Sequence, residues 1–267
     1  MDDIWLYISL FILGLAIGSF LNVCIYRIPL PDKSIYSPRR SFCPECNQSI
    51  KAYDNIPLLS YLLLGGKCRH CKTKISLIYP IVELTTAVLF LIMYLRFGQT
   101  LEFVLAVIFV AILIPIFVID TRHYIIPNVI SLTGLILGLG IVGLIAYERG
   151  SIDFLRIRLI GFVVGGLSLW LIAIIGGAIM RKTAMGGGDV KLMAIIGLFL
   201  GAWKELVMVI GISALTGAII GTFLIVIGKK DRQSPIPFAP FLAGAAVIVL
   251  VWGDQLWDSY LQLAGWN

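Results

Sequence analysis

"LEFVLAVIFVAILIPIFVID", residues 101–120, decides the fold. From Leu101 to Ile119 it carries a single charged residue, Glu102, and it then runs into Asp120. An apolar stretch of this length matches the ~20 residues that an α-helix needs to cross the hydrocarbon core of a bilayer. Similar blocks recur at Ile4–Tyr26, Leu77–Phe97, Val129–Tyr147, Leu159–Met180, Val190–Trp203, Leu206–Gly228 and Phe238–Trp252, the sixth and eighth spans in chain order being short. The 267-residue chain is 59% hydrophobic and 13% charged, whereas about a quarter of a soluble domain is charged. These features predict an all-α polytopic membrane protein of about eight transmembrane helices, packed helix on helix. The first block follows an acidic Met1-Asp2-Asp3 and precedes no small-residue cleavage site, so it reads as a retained span rather than a secretion signal. No clear internal repeat is visible. Only the connection from Arg27 to Ser76 is long, which divides the chain into a first span (1–26), a loop (27–76) and a seven-helix membrane domain (77–267).

Charge sets the expected orientation. The long loop holds Arg27, Lys33, Arg39, Arg40, Lys51, Lys67, Arg69, Lys72 and Lys74. Span parity places Arg122, Arg181, Lys182, Lys191, Lys229, Lys230 and Arg232 on the same side, and leaves the other side only Arg96, Arg149, Arg156, Arg158 and Lys204. The Lys/Arg-rich side is the cytoplasmic one, with both termini outside. The net charge of +6 then reflects membrane topology and a face that can hold anionic lipid; it is no nucleic-acid footprint.

Within the loop, Cys43-x2-Cys46 and Cys68-x2-Cys71 form two knuckles about twenty residues apart. That spacing suits a tetrahedral Zn²⁺ held by four thiolates, a closed structural site with no position for a reactive water. The expectation is a zinc-stapled cytoplasmic loop between the first and second spans. Two disulfides or a redox pair are the alternatives, and a cytosolic setting disfavours disulfides. His70 offers a substitute ligand, although the set is complete without it. Cys24 reads as a packed apolar residue. Between the knuckles, Ile56–Leu64 is apolar but too short to span, and suits the membrane surface or the helix ends.

Asp120 ends the third span and Asp189, in "MGGGDVKLM", begins the sixth. Parity puts both at the cytoplasmic boundary, where acids are costly and often functional. Read singly, each has a structural alternative: a snorkelling helix end, or an N-cap at Asp189. Read together, they make a catalytic pair. Two carboxylates in one site share a proton. The ionised member activates water and the protonated member polarises the scissile carbonyl. Gly186, Gly187 and Gly188 would offer bare main chain to an extended peptide substrate, as in strand addition.

These segments together resemble the bacterial type IV prepilin leader peptidases. "GSFLNVCIYRIP" (18–29), the knuckles around "NIPLLSYLLLGGKCRHC", "YPIVELTTAVLF" (79–90), "DTRHYIIPN", "GGGDVKLMAIIG" and "IPFAPFLA" (236–243) occur in the family's order and span nearly the whole chain. The resemblance implies an inner-membrane aspartic protease that removes the short basic leader of prepilins or pseudopilins after a glycine, on the cytoplasmic side. It also implies N-methylation of the new terminus with S-adenosylmethionine. By motif position the catalytic pair is Asp120 and Asp189, with Gly186 and Gly188 as the family's Gly-x-Gly. No Gly-rich fingerprint marks a site for the methyl donor. Glu83, an acid in the second span, is a candidate for orienting the substrate amine, with Asn22 and Arg27 near the same end; each is also readable as a packing group. Lys191 is read as facing phosphates and His123 as a surface residue. The competing functions are a proton- or cation-coupled transporter using Asp120 and Asp189 as a relay, and a membrane adaptor docking through the loop.

Overall fold

The computed structural model describes residues 2–30, 34–36, 40–180, 185–201, 203–229, 231 and 234–265. Of the residues that set the expected orientation, Lys33, Arg39, Arg181, Lys182, Lys230 and Arg232 lie outside these. The chain divides into two compact units, 1–99 and 100–267.

The first unit pairs helix α1 (Asp2–Arg27) with α3 (Ile78–Phe97), and between them in sequence lie a 3-10 turn (Ala52–Asn55) and the short helix α2 (Leu59–Leu63). Glycines make the pairing possible. A Cβ at Gly14 would stand 2.5 Å from the Ala87 Cα, and one at Gly18 would stand 2.6 Å from the Glu83 Cα. Lipid gives helices no hydrophobic reason to associate, so small residues that let backbones touch supply the attraction through packing. The loop holds a local repeat that the sequence reading did not register. In "FCPECNQSI" and "KCRHCKTKI" the second cysteine is followed by a left-handed residue, Asn47 (φ 54) or Lys72 (φ 60). Antiparallel bridges Phe42–Ser49 and Lys67–Lys74 close the two knuckles, and the main-chain bonds match: Asn47 N–H to Cys43 O and Lys72 N–H to Cys68 O.

The second unit contains α4 (Leu101–His123), α5 (Asn128–Glu148), α6 (Ile152–Met180), α7 (Gly187–Leu200), α8 (Trp203–Val226) and α9 (Ala239–Leu263). Eight helices thus correspond one for one to the expected spans, and seven are long and apolar enough to cross a membrane. The exception is α7, whose 14 residues reach only ~21 Å against a core of ~30 Å. Its neighbours explain it. Helix α7 packs against α4, α5, α6, α8 and α9, and every residue from Leu192 to Leu200 is buried. A helix apolar on all sides belongs inside a bundle, and one enclosed by protein need not match the lipid thickness. A Cβ at Gly161 would collide with the Gly197 carbonyl, and the reverse holds for Gly197, so α6 and α7 meet backbone to backbone. At the far end the Arg158 guanidinium donates to the Phe199 carbonyl, satisfying one of the free carbonyls of the last turn.

The two largest boundary differences from expectation arise because hydropathy marks where lipid contact ends, not where a helix ends. Helix α6 begins at Ile152, with the Ser151 hydroxyl accepting from the Phe154 N–H. Helix α9 continues past Trp252 through Asp254, Gln255 and Asp258 to Leu263.

Candidate active site

Asp120 lies inside the last turn of α4, not beyond its end. The helix closes at His123, and Tyr124, left-handed at φ 56, returns its N–H to the Asp120 carbonyl at 2.9 Å. The side chain is 5% exposed, and its Oδ2 is the one buried side-chain oxygen or nitrogen without a hydrogen-bond partner among the described residues. Nearly every buried polar atom in a protein is paired, so an orphan asks for a reason.

Asp189 is half-buried in the first turn of α7. It is not the N-cap. That position belongs to Gly186, extended at φ −75 and ψ 145, and Asp189 sits three residues on with its carboxyl turned back to the Gly186 N–H. This is half of a capping box. The two carboxyl groups lie close enough for the charge of Asp120 to act on Asp189.

The glycines are bare, but they are not a strand. Gly186 is extended, whereas Gly187 and Gly188 are the first helical residues. Gly186 and Gly187 are exposed, and a Cβ at Gly187 would meet nothing within 4 Å. Open main chain is therefore present as the N–H-rich start of a helix, because the helical turn begins one residue after Gly186. Gly188 is different: a Cβ there would stand 3.1 Å from the Ile126 Cβ. The Lys191 ammonium donates to the Asn128 side-chain oxygen at 3.0 Å. Both contacts tie the segment after Asp120 to the segment around Asp189. His123 is exposed.

In the first unit, Glu83 is 7% exposed and accepts the Leu58 N–H at 2.8 Å as well as a bond from the Ser19 side chain. Leu58 holds φ 60 and ψ −49, a conformation costly for a side chain with a Cβ. The Asn22 amide donates to the Tyr79 carbonyl at 3.0 Å, and Arg27, 4% exposed, donates to the carbonyls of Ser34, Ile35 and Arg40. No sequence pattern flags the part Leu58 plays, because nothing in the letters marks a leucine that will take a positive φ.

Cys43, Cys46, Cys68 and Cys71 bring their sulfurs within 4.8 Å of one another, with Cys43 and Cys71 at 3.8 Å. Four thiolates around zinc at ~2.3 Å would stand roughly 3.8 Å apart, so the set fits the ion. The thiols are also electrically strained. Hydrogen bonding with the Thr73 side chain and main chain draws Cys71 down to about 6. For Cys46, the Gln48 main chain lowers the value, but burial and the Cys43 and Cys71 thiols together push it up to about 11. A cation relieves that competition for charge. All five cysteines are free, and Cys24 is buried as a packed apolar residue. Beside the cluster, Asp54 takes both forks of the Arg69 guanidinium at 2.6 to 3.0 Å, and that bond holds its carboxyl below the usual range.

Comparison with known proteins identifies the family. Residues 12–97 match the bacterial peptidase A24 N-terminal domain, and residues 107–222 match the type IV leader peptidase family. The prepilin leader peptidase/N-methyltransferase of Pseudomonas aeruginosa is 38% identical over 96% of this chain and 93% of its own length. Its counterpart in Legionella pneumophila is 37% identical over 96% and 95%. That of Myxococcus xanthus is 41% identical over 82% of this chain and 63% of its own length. No solved structure matches.

Proposed function

This chain belongs to the type IV leader peptidase family, and we propose that it removes the leader of type IV prepilins or pseudopilins and then N-methylates the new terminus. The observation that carries the proteolytic half is the pairing of Asp120 with Asp189, brought within electrostatic reach by α4 and α7.

In this reading one carboxyl is ionised and the other protonated. The ionised group takes a proton from water as the oxygen attacks the scissile carbonyl, while the protonated group donates to the carbonyl oxygen. The tetrahedral intermediate then collapses, and a carboxyl returns a proton to the leaving amine. The N–H groups at the start of α7 offer hydrogen bonds to the substrate's main chain. A prepilin presents an apolar helix in the bilayer and a basic leader outside it, so its scissile bond meets the membrane boundary. The Lys/Arg asymmetry supports a cytoplasmic position for that boundary and a multi-pass location in the bacterial inner membrane. Cleavage after a glycine follows from the family resemblance.

Zinc bound by Cys43, Cys46, Cys68 and Cys71 would hold the 27–76 loop closed, with no vacancy for catalysis. S-adenosylmethionine would supply the methyl group. Glu83 remains our candidate for orienting the free amine, with its bonds to Leu58 and Ser19 fixing the carboxylate. The comparisons lend no support to a transporter, and the adaptor reading leaves the aspartate pair unexplained.

The test is direct. Purified protein, a prepilin and S-adenosylmethionine are incubated and the product is weighed by mass spectrometry. Loss of the leader plus one methyl group is expected. Uncut prepilin ends the protease reading, and a trimmed but unmethylated product removes the second activity alone.

A further inference from the structure

The segment "IPFAPFLA" has no part in the chemistry above, yet its first helical residue faces Asp120. Helix α9 begins at Ala239, with Phe238 as its cap and Pro240 in the first turn. A helix start leaves several N–H groups free. Here the Phe238 carbonyl takes the Phe241 N–H at 3.0 Å and the Leu242 N–H at 3.2 Å, and Pro240 has no N–H to offer. The donor left over is Ala239. It is fully buried, at 0% exposed, so water cannot satisfy it. Its N–H is turned to the Asp120 carboxyl, on a helix that packs against both α4 and α7. Facing it is the Asp120 carboxyl, on a residue only 5% exposed, whose Oδ2 has no hydrogen-bond partner. One end of the pair is a donor with a single place to go. The other is a carboxyl with one oxygen open.

Resting on the proteolytic reading above, we propose that the start of α9 is a third element of the catalytic site, whose Ala239 N–H orients the Asp120 carboxyl and leaves the unpartnered Oδ2 for the catalytic proton. Ala239 is a positioning residue: it acts through Asp120 and touches no reacting atom. The three helix ends then divide the work. Helix α4 supplies one acid, α7 supplies the second with its bare N–H groups, and α9 aims the first. The arrangement also gives the prolines of this segment a role. Pro240 removes the competing first-turn donor, and Pro237 and Pro240 restrict the chain on either side of Ala239.

The test removes the N–H alone. Lactic acid incorporated at position 239 replaces the amide by an ester and keeps the methyl side chain. The expected result is a fall in kcat of roughly tenfold to a hundredfold, the range for a hydrogen bond to a charged group, with the acidic limb of the pH–rate profile moved to higher pH. Lactic acid at Ala243, one turn on in the same helix, costs a helical bond of the same kind and is expected to leave that limb in place. Equal effects at both positions, or an unmoved pH profile at 239, overturn the proposal. Native protein provides a second measurement free of folding risk. Phe238-Ala239 is the one Phe-Ala pair in the chain, so ¹³C′-Phe with ¹⁵N-Ala labelling isolates its amide resonance. That resonance should titrate with the acidic limb of cleavage and stop doing so in Asp120→Asn. A resonance flat across the active pH range sinks the inference while leaving cleavage, and so the peptidase reading, intact.

Discussion

The cysteine cluster and the aspartate pair each gather residues from two segments, but they do so by different physics. In the loop, the two knuckles use the same turn, the same bridge and the same left-handed residue after the second cysteine. Each knuckle closes on itself through local bonds, and a metal ion held by the four sulfurs would join them. The aspartates come from helices α4 and α7, which meet through Phe109 stacked on Phe199 at 4.7 Å, while Lys191 of α7 is tied to Asn128 at the start of α5. The loop should therefore fail when its ion is removed, and the acid pair when packing is disturbed.

Chelation should produce the largest effect. Apparent binding free energies for four-thiolate zinc are on the order of 10 kcal/mol or more. Stripping the metal, or Cys43→Ser with Cys68→Ser, should unfold the 27–76 loop, read as rapid tryptic cutting near Lys67 and Lys72. Metal content is followed in parallel. A stripped loop that stays protected would show that the knuckles stand by themselves.

Asp120→Asn or Asp189→Asn should lower cleavage by at least roughly 10² to 10⁴-fold, the scale of general acid–base catalysis. Zinc content should stay unchanged. A residual rate near that of the parent would dissolve the contrast between the two sites.

Packing comes next. Gly197→Val would press a side chain on the Gly161 carbonyl and should cost about 1–3 kcal/mol or more, seen as a lower Tm and slower cleavage. Gly140, in α5, is exposed with nothing within 4 Å of a Cβ. There Gly→Ala should be neutral or stabilise by about 0.5–1 kcal/mol. Equal costs at both sites would deny the helix contact its special place.

The smallest effect belongs to the surface. Arg69 lowers the pKa of Asp54, so the pair's contribution is complete above the unfolded carboxylate value near 4 and is lost as pH falls through the lower folded value. Arg69→Met should lower loop Tm slightly and by a constant amount from pH 5 to 8. The gap between variant and parent should close in acid. A gap that widens in acid would contradict the assignment.

Much of this was readable in advance where the signal is local. Apolar runs located the eight helices because lipid permits little but helix. Cysteine spacing located the four-sulfur cluster because a knuckle is a turn of a few residues. Asp189 was visible as a charge in a bare stretch, but its place as third residue of the helix, behind Gly186, was not. That depends on where the turn begins, and three glycines do not specify it. Ala239 was invisible, since a main-chain N–H has no letter in the sequence.

By itself the chain determined its solvent, its helices, its two cysteine knuckles and its two acids, each from composition or short-range spacing. Tertiary structure decided that α7 is enclosed and so can be short, that Asp120 is buried with one oxygen open, and that α9 begins against it. Those outcomes depend on which helix faces which, and close approach between residues far apart in sequence emerges only when the whole bundle packs.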